Sequence, residues 1–148
     1  MTSHSNLSHV FEIKGRNFGK AGSASIDIKE ILRELGIDPA IVRRVAIAAY
    51  EAEMNVVMYA DKGEMVLRLN PKVIQITLQD DGPGIENIEM AMQEGYSTAS
   101  DEIREMGFGA GMGLPNIKKN ADEFELKSKV GEGTSCNIVI YLEPTGKT

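Results

Sequence analysis

The chain has 148 residues, 42% of them apolar and 26% charged, with a formal net charge of −6 and one cysteine. That length holds one domain with a proper core, and the composition is that of a soluble globular protein. The acidic balance argues against nonspecific binding to nucleic acid or anionic membrane, the lone Cys136 excludes an intramolecular disulfide, and no apolar run approaches the ~18 residues that span a bilayer.

The opening MTSHSNLSHV is polar and lacks a basic, apolar leader pattern. Met1–His9 therefore reads as a loose tail of a cytoplasmic protein. His4 and His9 stand there without ligand partners, so no metal site is expected from them. VFEIKG (Val10–Gly15) reads as a first strand. Ile28, Ile31, Leu32 and Leu35 recur at helical spacing, which predicts a helix over Ser23–Leu35 that Gly36 ends. Asp38-Pro39 opens a second helix, with Asp38 as N-cap and Pro39 at the first position. Its apolar face carries Ile41, Val45, Ala48, Ala52, Val56 and Tyr59. GEMVLRL and KVIQITL alternate as strands around Asn70-Pro71, a hairpin turn. Ile88–Met92 reads as a short helix, followed by a loop to about Met106. A glycine cluster leads into LPNIKKNADEF, a helix start. EFELKSK and TSCNIVIYL close the chain as strands around VGEGT, with Cys136 as a buried strand thiol that fits a reducing compartment. Short connections between neighbouring strands predict a mostly antiparallel sheet with helices on one face, an α+β two-layer sandwich.

Four pieces of this chain could carry chemistry, and each also has a plain reading. Glu51 and Asn55 are four residues apart, stacked on one helix face at the rim of the core stripe. An acid and an amide there could polarise a nucleophile and hold a hydrated cation; alone they are also ordinary solvated helix residues. QDDGPGI places Asp80 and Asp81 at a strand end before Gly82 and Gly84. A carboxylate there could accept a hydrogen bond from an exocyclic amine, and glycines let a flat ring approach; hairpins use the same residues. GFGAGMGLP spaces glycines at 107, 109, 111 and 113 before a helix. Exposed N–H groups and a helix N-terminus make an anion cradle suited to phosphates. It is neither G-x-x-x-x-G-K-[ST] nor a G-x-G-x-x-G after a strand. GEGT, Gly131–Thr134, reads by itself as a turn.

Taken together and in this order, the four pieces resemble the Bergerat, or GHKL, ATP-binding fold. That family has an N box with an acid and an Asn four residues on, then D-x-G-x-G, a glycine-rich lid end, and G-x-G-T. Here these look like Glu51/Asn55, Asp80–Gly84, Gly109–Gly113 and Gly131–Thr134. The resemblance spans about residues 10–143 and leaves 144–148 as a tail. It implies a mostly antiparallel mixed sheet with helices on one face. It implies ATP and Mg²⁺ as cofactors. By the resemblance Asp80 is the adenine-reading carboxylate and Asp81 points outward. Gly82, Gly84 and Ile85 border the ring, and Asn55 ligates Mg²⁺. Gly109, Gly111 and Gly113 wrap the phosphates, Met112 and Leu114 belong to the same cofactor-binding stretch, and Thr134 supports the adenine pocket.

The chain looks most like the stand-alone anti-sigma-factor serine kinases and the related switch-protein kinases of bacterial partner switching. GYSTAS, GMGLP and ADEFELKS resemble the switch-kinase subgroup. The family phosphorylates a Ser or Thr on a small STAS-domain antagonist, and some members hold a sigma factor. Glu51 is then the expected general base. Homodimers occur in the anti-sigma branch, and one is open here. The stretch Ser97–Met106 looks longer than the shortest family lids and sets Asp101, Glu102 and Glu105 against Arg104. Acids near a triphosphate repel it, so this lid is expected to be mobile or folded away. Arg104, Lys118 and Lys119 are the candidate cations for the γ-phosphate. Glu53 lies about 200° from Glu51 around the helix and is not expected to replace it. Two other functions stay open: a non-enzymatic ATP-gated module that captures a partner, and the detached catalytic half of a histidine kinase. Against the latter, no helical hairpin carries a phosphoacceptor His.

Overall fold

The computed structural model describes residues 6–94 and 113–142. Strand β1 (Leu7–Lys14) leads through a 3-10 turn (Phe18–Lys20) to helix α1 (Ser23–Glu34) and helix α2 (Pro39–Tyr59). Strands β2 (Lys62–Leu69) and β3 (Val73–Asp80) follow, then a single helical turn α3 (Ile88–Ala91). Helix α4 (Gly113–Asn120) and strands β4 (Glu123–Lys129) and β5 (Gly133–Tyr141) complete the described elements.

The five strands run in the order β1-β2-β3-β5-β4. Among the described residues all four pairings are antiparallel, where a mostly antiparallel mixed sheet is expected from the resemblance. Alternation decides the faces. Met65, Leu67, Ile76 and Ile138 point to one side and are buried. There they meet Ile28 and Leu32 of α1, Val45 and Val56 of α2, and Ile117 of α4 in one core. The opposite face carries Glu64, Arg68, Gln75, Gln79, Glu125 and Lys127 and has the polar character of a solvated surface. Among the described residues no helix is long and apolar enough to cross a membrane.

Local chemistry fixes the element ends. The Asp38 carboxylate accepts from the Ala40 amide at 2.9 Å, and Pro39 sits at the first helical turn, as expected. Asn70 makes the β2–β3 turn by accepting from the amides of Lys72 and Val73. Asn87 caps α3 through the Met90 amide.

One boundary differs from the expectation. Leu7–His9 belong to β1 rather than to a loose tail, because β2 is long enough to pair Leu7 with Leu69 and His9 with Leu67. Leu7 packs against the core, and the His9 ring stacks near Phe11. The 3-10 turn at Phe18–Lys20 was not expected; three residues carry too little periodicity to show.

Candidate functional site

Helix α2 is the rail on which the site is assembled. Glu51 and Asn55 are both half-buried, one turn apart. Asn116 of α4 donates from Nδ2 to Glu51 Oε2 at 3.0 Å. Gly113, the first residue of α4, lies directly in front of the same pair. A Cβ built there would stand 3.4 Å from Asn55 Oδ1 and 3.6 Å from Glu51 Oε1. The start of α4, the positive end of its dipole, therefore lies against an acid and an amide. Helix α4 is held in place at its far end, where Arg44 of α2 donates to the Asn120 carbonyl at 3.0 Å and pairs with Asp122 at 3.1 Å.

The paired acids at the end of β3 have split roles. Asp80 is half-buried, and its Oδ1 accepts from the amides of Gly82 at 2.8 Å and Thr134 at 3.2 Å. Among the described residues, no donor reaches its Oδ2. Burial pushes the Asp80 carboxyl above its ordinary value and outweighs the two amide bonds, which pull it down. Asp81 is exposed and faces the other way, as expected. It accepts from the amides of Asp61 and Lys62 and so ties the end of β3 to the junction between α2 and β2. The Lys62 amide in particular holds its carboxyl below the usual range.

The loop after Asp80 folds back on α2 and on the β4–β5 turn. Gly82 is buried against the helix end: a Cβ there would lie 3.4 Å from both the Tyr59 carbonyl oxygen and Ala60 Cβ. Tyr59 is one turn beyond Asn55, about 6 Å along the axis. Gly84 has φ +82°, and a Cβ there would overlap the Lys129 carbonyl. The chain's own backbone thus requires glycine at 84, independently of any ligand. The Ile85 amide donates to Ser128 Oγ at 2.7 Å, and Ser128 Oγ is 2.8 Å from Thr134 Oγ1. Gly131 closes the link by donating to the Pro83 carbonyl at 2.8 Å.

Glu51, Asn55 and Gly113 thus stand together, as do Asp80, Gly82, Gly84, Ile85 and Thr134. Leu114 is half-buried against the core. Lys118 is exposed, and Lys119 pairs with Glu94 at 2.9 Å, both side chains being exposed. Gly109, Gly111, Met112 and Arg104 lie outside the described residues. Among the described residues no group of three His, Cys, Asp or Glu side chains could hold a metal ion. An open groove of about 350 Å³ on the polar sheet face contains none of the expected site residues.

Two residues escaped the sequence reading, and a third, Glu53, was read without its buried partners. Asn116 and Ser128 give no local signal, because their partners are 65 and 43 residues away. Glu53 did leave a trace: it sits between Ala49 and Val57, both buried, at helical spacing. It is 2% exposed and turned toward α1, where it accepts three backbone amides.

Comparison with known proteins adds independent findings. A family model described as the histidine kinase-like ATPase domain matches residues 21–140. The chain is similar to the serine/threonine-protein kinase RsbT of Bacillus subtilis, with 35% identity over 118 residues, covering 77% of this chain and 83% of the relative. It is 30% identical over 113 residues to the anti-sigma F factor of Caldanaerobacter subterraneus subsp. tengcongensis, covering 72% and 76% of the two chains. The anti-sigma F factor of Thermoanaerobacter sp. (strain X514) is 33% identical with the same coverage.

Proposed function

The chain belongs to the histidine kinase-like ATPase domain family, and from that premise we propose that it is an ATP-dependent protein serine/threonine kinase of the anti-sigma regulatory type. The observation that carries this reading is the convergence of Glu51 and Asn55 on the N-terminus of α4 at Gly113. The absent Cβ keeps the space before both oxygens clear, and a helix N-terminus attracts phosphate. When bound, ATP supplies the phosphoryl group and Mg²⁺ neutralises charge on the phosphates.

Each residue then has a task. Asn55 Oδ1 is a hard oxygen ligand of the kind Mg²⁺ takes. Asp80 presents Oδ2 to the exocyclic amine of adenine, while Oδ1 stays fixed by Gly82 and Thr134. Ile85, Met112 and Leu114 supply apolar edges, and Gly82 and Gly84 shape the adenine loop. Gly109, Gly111 and Gly113 offer amides to the phosphates. Glu51 accepts the proton from the attacking Ser or Thr hydroxyl, and Asn116 aims its carboxylate.

The protein acted on is read as a small STAS-domain antagonist in a cytoplasmic partner-switching system. Relatives named anti-sigma F factor favour a second role in the same chain, holding a sigma factor. Calorimetric titration of Mg-ATP and Mg-ADP into wild type and Asp80→Asn tests the reading. Micromolar binding by wild type that Asp80→Asn loses is the expected result. If wild type binds neither nucleotide, the kinase reading fails.

A further inference from the structure

The 2% exposure of Glu53 is unusual for a carboxylate whose hydrogen-bond donors among the described residues are all backbone amides. What it has instead is the N-terminus of α1. Oε2 accepts from the amides of Gly22 at 3.0 Å and Ala24 at 3.2 Å, and Oε1 accepts from Ser25 at 3.0 Å. These amides are among the donors a helix start leaves unpaired. Three charge-assisted bonds and the helix dipole compensate the burial of the charge. One turn further along α2, the Arg16 amide donates to the Val57 carbonyl at 2.7 Å. The segment from Arg16 to Ser25 is therefore fastened to α2 at two points a turn apart. Glu51 and Asn55 lie on the other side of the same two turns.

We propose that Glu53 is a positioning residue for phosphate and metal binding: by locking α2 to the start of α1, it sets the rotation at which Asn55 and Glu51 meet Gly113. This rests on the reading of Asn55 as the Mg²⁺ ligand. The two helices meet closely here, since a Cβ at Gly113 would come into ordinary contact with Asn55 Oδ1 at 3.4 Å. An oxygen ~6 Å from a helix axis moves ~1 Å for a 10° rotation, and a displacement of that size costs as much as ~100-fold in a tuned site. A glutamine at 53 has one oxygen where the carboxylate has two. Its NH₂ group would face backbone donors, and α1 would have to shift. The adenine end is held differently, by Gly82, Thr134 and Ser128.

The two ends can be read separately by calorimetry. The affinity for ADP without Mg²⁺ reports the adenine end. The ratio of ATP affinities with and without Mg²⁺ reports the metal and phosphate end. Wild type, Glu53→Gln and Glu53→Asp are compared at a temperature well below each melting midpoint. The expected result for Glu53→Gln is a Mg²⁺-dependent gain reduced by ~10-fold or more, with Mg²⁺-free ADP affinity within about twofold of wild type. Glu53→Asp, which keeps both oxygens but not the reach, should fall between them; if Glu53→Gln does not fold, Glu53→Asp decides alone. A folded variant that melts earlier but keeps the wild-type Mg²⁺ gain makes Glu53 a stability residue and overturns the proposal. Equal losses of both affinities overturn it as well. If wild type binds nucleotide but shows no Mg²⁺ gain, the Asn55 reading fails first and takes this proposal with it.

Discussion

Asn116 Nδ2 donates to Glu51 Oε2 across the α2–α4 interface at 3.0 Å. The bond leaves Oε1, the oxygen nearer Gly113, as the one that faces the start of α4. Glu51→Ala should abolish transfer to a Ser- or Thr-bearing partner while Mg-ATP affinity stays within a few fold. Asn116→Ala should lower kcat by about tenfold, the order expected for a lost hydrogen bond to a charged group. Radiolabel transfer from γ-labelled ATP reads both. Undiminished transfer by Glu51→Ala would remove Glu51 as the base.

Gly113→Ala separates ligand space from fold. The new Cβ would meet Asn55 and Glu51 at ordinary contact distances, and alanine suits a helix. Urea denaturation should show stability within about 1 kcal/mol of wild type. Mg-ATP affinity should nonetheless drop, because the methyl group fills the space before both oxygens. Unchanged affinity would mean the phosphates lie elsewhere.

Gly84→Ala should have the opposite character. The backbone has φ +82°, and the Cβ would overlap the Lys129 carbonyl. A destabilisation of about 2 kcal/mol or more is expected in urea denaturation, with nucleotide absent. A neutral effect would show that the turn relaxes freely.

On the proposed reading of Asp80 as the adenine-binding carboxylate, nucleotide affinity should depend on pH. Its carboxyl is raised mainly by burial, so it takes up a proton at a higher pH than an ordinary aspartate and then loses its charge-assisted acceptor. ADP affinity should begin to weaken above the ordinary value of 3.8 as pH falls. The same shift has a stability sign. The native state holds that proton more tightly than the unfolded chain, so this contribution is full below the unfolded pKa and is lost as pH rises through the folded one. Asp80→Asn should therefore be at least as stable as wild type at neutral pH without nucleotide, although it binds ADP poorly. Lower stability of the variant at neutral pH would contradict this.

Cys136 faces the core on β5, and burial pushes its thiol up to about 12. Thiolate-directed reagents should label it slowly in the native protein and much faster on unfolding, as a denaturant series would show. Rapid labelling of the native protein would contradict that placement.

The chain's own sequence determined what short-range physics controls. Period-2 and period-3.6 apolar patterns located the five strands and the main helices, and Asp38-Pro39 marked the start of α2. The four spaced motifs named Glu51, Asn55, Asp80 and Thr134 because each motif is local. Tertiary structure alone decided which of these meet, and what holds them. Asn116 reaches Glu51 across 65 residues, Glu53 reaches the start of α1 across 28 to 31, and the Ile85 amide reaches Ser128 across 43. β1 begins at Leu7 only because Leu69 lies opposite it. A side chain's partner at such separations depends on how layers pack, and packing is a property of the assembled core rather than of any stretch of chain.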